Sequence, residues 1–230
     1  MTSLLLATRN AHKTREFRKL LGPNFEVTDL SGFPEMALPG ESGRSFEENA
    51  RLKALSISQP LVGTSRCDVR RAPRTIPTFV VADDSGLEVD ALRGAPGIFS
   101  ARYAGQNATD KENLEKLLQE LARIQAHELS QRTARFRCVL AVAREGKVLG
   151  VFSGTVDGTI VDLPRGSSGF GYDPVFRPKE FDRTFGELPA EVKNRISHRA
   201  RAVRAFCSAF ESIVANQGLG GGGGAGAPGG

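Results

Sequence analysis

Short apolar runs and helical stripes alternate along the chain. Ser3-Leu4-Leu5-Leu6-Ala7 and Phe79-Val80-Val81-Ala82 are unbroken runs too short for helices, and they predict strands buried on both faces. From Ala11 to Leu21 the spacing of Phe17, Leu20 and Leu21 predicts a helix with one apolar face. Ser45 with Glu48, and Thr109 with Glu112, have the spacing of capping boxes. They predict one helix to about Ser56 and another through Leu114, Leu117, Leu118 and Leu121. Arg135 to Ala143 and Lys147 to Val156 read as two strands joined by a hairpin turn at Glu145-Gly146. Val203, Phe206, Phe210 and Ile213 place core residues on a last helix from about Ser197 to Val214. This order predicts a mixed α/β fold.

The chain has 230 residues, 40% of them hydrophobic, which suffices for one domain, expected over residues 1–217. The segment from Gly218 to Gly230 is nearly all Gly, Ala and Pro, is expected to be disordered, and is set aside from function. A second irregular stretch, Gln59 to Pro77, carries Arg66, Arg70, Arg71 and Arg74 among prolines. It reads as a surface loop, with a basic arm for nucleic acid as the alternative. The net charge of +5 suits an anionic ligand without requiring one. Cys67, Cys138 and Cys207 are far apart and odd in number, which argues against a disulfide framework and for a reducing cytoplasm. The N-terminus lacks the features of a signal peptide, and no apolar run nears the roughly 20 residues needed to span a bilayer.

Asp83 and Asp84 follow a buried strand directly. Two carboxylates there are costly unless paired, and Mg²⁺ with substrate phosphates is a natural partner. Alternation along a strand sends the two side chains to opposite faces, so they are expected to do different jobs, with Ser85-Gly86 free to form a tight turn behind them. Glu41, in a Gly-flanked loop, is the better candidate for a second metal carboxylate, because Glu47 and Glu48 are accounted for by the first turn of a helix. Asn49 and Lys53 share a face of that helix.

Other segments offer contacts for phosphate and base. Thr8, Asn10 and Lys13 lie where a strand enters a helix, whose free N–H groups can seat an anion without a P-loop. Glycines around Phe170, Gly171, Tyr172 and Asp173 allow backbone to approach a ligand while an exposed aromatic stacks on a base. Beyond Lys193, His198 and Arg199 fall in the first turn of the last helix, where the dipole disfavours cations; an anionic or keto-bearing ligand would account for them.

Six segments together resemble the inosine/xanthosine triphosphate pyrophosphatase family, the noncanonical purine triphosphate pyrophosphatases. They are Thr8 to Lys13, Phe46 to Ala50, Ala82 to Leu87, Gly94 to Tyr103, Gly169 to Pro174 and Ile196 to Arg199, in family order. The resemblance implies an elongated α/β fold with two lobes around a central cleft, and a homodimer. It implies Mg²⁺-dependent cleavage of ITP, dITP or XTP to monophosphate and pyrophosphate. By motif, Asp84 resembles the general base that also meets metal, Glu41 the other metal carboxylate, and Ser85 a substrate contact. Thr8, Arg9, Asn10 and Lys13 fall at the triphosphate, with Arg9 replacing a frequent glycine; Phe170, Gly171, Tyr172, Asp173, Lys193, His198 and Arg199 fall at the nucleoside and base. A Maf-like pyrophosphatase for other modified nucleotides and a non-catalytic nucleotide or nucleic-acid binder are the rival readings.

Overall fold

The computed structural model describes residues 1–59 and 79–218. Nearly all of the Arg-rich stretch, and the Gly-rich tail after Gly218, lie outside the described residues.

The strands are β1 (Thr2–Leu6), β2 (Phe25–Asp29), β3 (Phe79–Val89), β4 (Thr133–Arg144), β5 (Lys147–Ile160) and β6 (Phe176–Pro178). They form one mixed sheet in the order β2-β1-β3-β4-β5-β6. β1 runs parallel to β2 and β3, and the remaining pairs are antiparallel. The main helices are α1 (Ala11–Leu21), α2 (Phe46–Ser58), α3 (Asp110–Arg123), α4 (Ala190–Ile196) and α5 (His198–Gly218).

Three cores hold the molecule. On one face of the sheet, Leu4, Leu6, Phe79, Val81, Leu140 and Val142 pack under α1 and α5 with Phe17, Val203 and Phe206. On the other, Leu5, Val80, Ala82, Val139 and Ala141 pack under α2 with Ala50, Ala54 and Ile57. The far halves of the long strands enter a separate core with α3, Phe176 and Phe185. The three long strands thus run from one lobe into the next, which elongates the molecule.

Several predicted elements appear as read. α1 has the predicted bounds, and β4 and β5 meet at Glu145-Gly146, both with positive φ as a two-residue hairpin turn requires. The Thr109–Glu112 capping box is complete, whereas Glu48 satisfies the Arg44 N–H instead of closing back on Ser45. The tight turn expected at Ser85-Gly86 is absent. β3 continues to Val89 because β4 pairs with it throughout, Asp83 opposite Leu140 and Gly86 opposite Arg137. The glycine serves close packing instead: a Cβ on Gly86 would come within 2.4 Å of the Gly97 carbonyl oxygen.

Candidate active site

The aspartate pair lies in the middle of β3, where local topology makes a cleft. β1 pairs only with Phe79 to Val81, so among the described residues the β1 side of β3 carries no adjoining ladder from Ala82 onward. Because β2 and β3 flank β1 on opposite sides, the carboxyl end of β1 is a switch point, the usual place for a ligand in such sheets. α1 starts there. Asn10 caps it, its Oδ1 accepting from the His12 and Lys13 N–H groups at 2.9 and 3.2 Å, and Thr8 Oγ1 accepts from the Asn10 N–H.

As predicted, the two aspartates face opposite ways. On the α2 side, Lys53 Nζ donates to Asp84 Oδ1 at 2.6 Å and Asn49 Nδ2 donates to Asp84 Oδ2 at 3.2 Å. Lys53 also meets Glu41 Oε1 at 2.6 Å, and Arg102 holds the other oxygen of Glu41. Asn49 Oδ1 accepts from the Gly43 N–H, so one asparagine ties the Glu41 loop to Asp84. Burial pushes the Asp84 pKa up and prevails over Lys53, with Glu41 adding to it. Burial also opposes ionisation of Glu41, but Lys53 and Arg102 outweigh it and hold its pKa below the ordinary value. The result is two carboxylates converging on one ammonium.

On the α1 and α5 side, Asp83 Oδ2 accepts from Arg199 Nε and Nη2 at 3.0 and 2.9 Å, with Lys13 Nζ 3.2 Å away. Arg199 reaches on to Glu16, Glu16 to Lys193 at 2.8 Å, and Lys193 to Asp173 at 2.6 Å. This buried chain of alternating charge accounts for Arg199 at the helix start. Arg199 is set at the helix start by two carboxylates, without need of an anionic ligand. His198 is neutral: burial, then Arg199 and Lys193, hold its pKa well below the ordinary histidine value. Its ring stacks on Phe136 at 4.8 Å, and its buried Nδ1 has no partner among the described residues.

His198 borders a cavity of 110 Å³, lined also by Lys13, Ser85, Ser100, Phe170, Tyr172 and Arg199. Asn10, Gly171, Asp173 and Lys193 complete much of its wall. The structure therefore gathers most of the predicted residues. Arg9 is drawn away, donating to the backbone carbonyls of Phe33, Pro34 and Met36. Thr8 shapes the turn before α1 rather than lining the cavity. Tyr172, expected to be exposed, is buried, its hydroxyl donating to the Ser100 carbonyl oxygen at 2.9 Å; only Phe170 remains available to stack. Glu16, Lys53, Arg102 and Asp110 were not predicted as site residues. The sole signal for Lys53 was its shared helix face with Asn49.

The Ham1 family profile matches residues 4–209. The chain belongs to the Ham1 family. The dITP/XTP pyrophosphatase of Geobacillus kaustophilus is 46% identical over 219 residues, spanning 95% of this chain and 98% of that protein. The Bacillus subtilis dITP/XTP pyrophosphatase is 42% identical over 92% of this chain and 98% of its own length. Among solved structures, the Staphylococcus aureus Ham1 protein superposes with a TM-score of 0.74 at 37% identity, covering 92% of this chain and 99% of that one. A HAM1 protein from Coxiella burnetii gives 0.76 at 34% identity, covering 92% and 100%.

His198 sets a stability dependence on pH. An unfolded histidine takes up a proton near pH 6.5, the folded one only well below that. The unfolded state therefore binds more protons as pH falls through this range, and stability drops from about 6.5 downward. The urea midpoint is expected to fall between roughly pH 7.5 and 5.5, and His198→Phe should reduce that fall. An equal fall in both proteins would contradict a buried neutral His198.

Proposed function

We propose that this chain hydrolyses noncanonical purine nucleoside triphosphates, dITP, ITP and XTP, to the monophosphate and pyrophosphate. The observation that carries this reading is the division of labour across β3. Two carboxylates, Glu41 and Asp84, converge on one side, and a pocket lined by His198, Ser85 and Phe170 lies on the other. A triphosphate lying over the unpaired side of β3 would join the two.

The carboxylate oxygens of Glu41 and Asp84 are the hard donors that Mg²⁺ takes alongside substrate phosphates, so these residues fit the ion and would hold it. Bound there, Mg²⁺ would polarise phosphate oxygens and offset the charge of departing pyrophosphate. Lys13 and the positive dipole end of α1 hold the triphosphate, since the His12 and Lys13 N–H groups are already taken by the Asn10 cap. Asp84 accepts a proton from the attacking water; its oxygen bonds to phosphorus as the bridge between α and β phosphates breaks. Lys53 holds the Asp84 and Glu41 carboxylates in place. In the pocket, an N–H of His198 meets the 6-keto group of hypoxanthine or xanthine. Adenine would set its amino group against that donor, leaving buried groups unpaired at about 1–3 kcal/mol each. Product analysis tests the bond cleaved: dIMP with pyrophosphate, lost on chelation and restored by Mg²⁺, supports the reading, whereas dIDP with phosphate would refute it.

We further infer a cytoplasmic homodimer. Phe99 is an exposed aromatic beside an 810 Å³ groove, whose lining mixes Ile98, Val139 and Val151 with charges of both signs, Arg44, Arg137, Glu47 and Glu88. Such a surface suits a second copy of itself. Phe99→Glu is expected to halve the mass seen by sedimentation equilibrium; a monomeric parent chain would refute the pairing. Among the described residues no helix is long and apolar enough to cross a membrane, and Cys138 and Cys207 are free thiols.

A further inference from the structure

Asp110 is the first residue of α3, yet it takes no part in capping it. Thr109 Oγ1 accepts from the Glu112 N–H at 3.2 Å, and Glu112 closes the box on the Thr109 N–H at 2.7 Å. Asp110 instead turns outward, and its Oδ2 accepts the N–H of Gly171 at 2.7 Å across the mouth of the cavity. Gly171 has a positive φ of 61°, the tip of a strap from Gly169 to Asp173. The other ties of this strap run inward. The Phe170 N–H donates to Asp173 Oδ2 at 2.8 Å, Asp173 is held by Lys193, and the Tyr172 hydroxyl reaches Ser100. Asp110 is the exposed tie, made from another element.

The strap carries the ring of Phe170. That ring stacks on His12 at 5.4 Å and lies 4.9 Å from the Lys193 ammonium. It also divides two spaces: the 110 Å³ cavity on one side and, on the other, a 320 Å³ groove lined by His12, Arg15 and Ser168. The cavity is well below the roughly 300–1,000 Å³ of ordinary small-molecule sites. At that size, a base seated in the cavity would lie against the Phe170 ring.

We propose that Asp110 is a positioning residue: it fastens the tip of the strap through the Gly171 N–H, so that the Phe170 ring bears on the bound base and presses it against His198. This rests on the reading that the cavity takes a purine base. Without the tie, the base is held loosely and can tilt, so both affinity and the penalty against a 6-amino group decline.

The test compares the full-length chain with Asp110→Ala and Asp110→Asn, an amide whose oxygen still accepts from Gly171. Asp110→Ala should raise KM for dITP about tenfold, the worth of one charge-assisted hydrogen bond. Its kcat should stay within about threefold, and its preference for dITP over dATP should narrow. Asp110→Asn, whose oxygen accepts a neutral hydrogen bond, should keep KM within about threefold of the parent and retain the preference. Unchanged KM and preference in Asp110→Ala, or a uniform loss of kcat at constant KM, would overturn the proposal. So would Asn as impaired as Ala, which would mean that the charge itself meets the ligand. Hydrogen exchange at the Gly171 amide gives a readout independent of turnover. It should be faster in Ala and unchanged in Asn, and equal rates in all three chains would overturn the tie even if the parent proved silent on dITP, the result that would sink the assigned activity instead.

Discussion

Asp84→Asn is expected to fold and to bind dITP but to lose turnover by about 10³-fold or more, because it removes the proton acceptor. The loss of one of the two carboxylates proposed to hold Mg²⁺ adds to this. The substitution keeps the shape of the side chain, and its amide oxygen can still accept from Lys53, so the sheet around it should persist. Asp84 lies between Lys53 and Asn49 on the α2 side, away from the pocket on the other face of β3. Binding of the base should therefore survive. Single-turnover measurement with labelled dITP separates the two effects. Near-normal turnover would remove Asp84 from the chemistry and leave Glu41 without a partner.

Arg199→Met is expected to act on stability instead. Arg199 is 1% exposed and donates through four N–H···O contacts to Asp83, Glu16 and Ser85. Its removal leaves a buried carboxylate, Asp83, with Lys13 as its remaining cation. Breaking such a pair from one side costs about 3–5 kcal/mol, and for a chain of this size a fall in Tm of about 10 °C. Neutralising the other partner as well, in Arg199→Met with Asp83→Asn, should recover part of that loss, since the uncompensated charge is then gone. Denaturant melts of the two variants decide it. A loss under about 1 kcal/mol in the single variant would mean that Arg199 is not the hub of the buried network.

What the sequence revealed and what it hid divide along the range of the interactions. The bounds of α1, the β4–β5 hairpin and the Thr109–Glu112 box were all visible, because each is decided by residues within a few positions of one another. The opposite facing of Asp83 and Asp84 followed from strand alternation alone. The length of β3 did not, since pairing with β4 carries the strand through a Ser-Gly step that locally favours a turn. The charge network was hidden for the same reason. Arg199 meets Asp83 across 116 positions and Glu16 across 183, and nothing in the local spacing of Glu16 marks it as the bridge between Arg199 and Lys193. Arg9 shows the reverse: a cation beside the turn read as a phosphate site folds back onto carbonyls of the Phe33 to Met36 loop.

The most direct test of the central claim is pyrophosphate release from dITP, ITP, XTP, GTP and ATP, each with and without Mg²⁺. A catalyst built as described releases pyrophosphate from the first three only when Mg²⁺ is present, and leaves ATP nearly untouched. Equal rates on ATP and dITP would contradict the role given to His198 and its pocket. Silence on all five would contradict the enzyme itself, and turn attention to modified pyrimidine triphosphates and to salt-sensitive binding of nucleic acid.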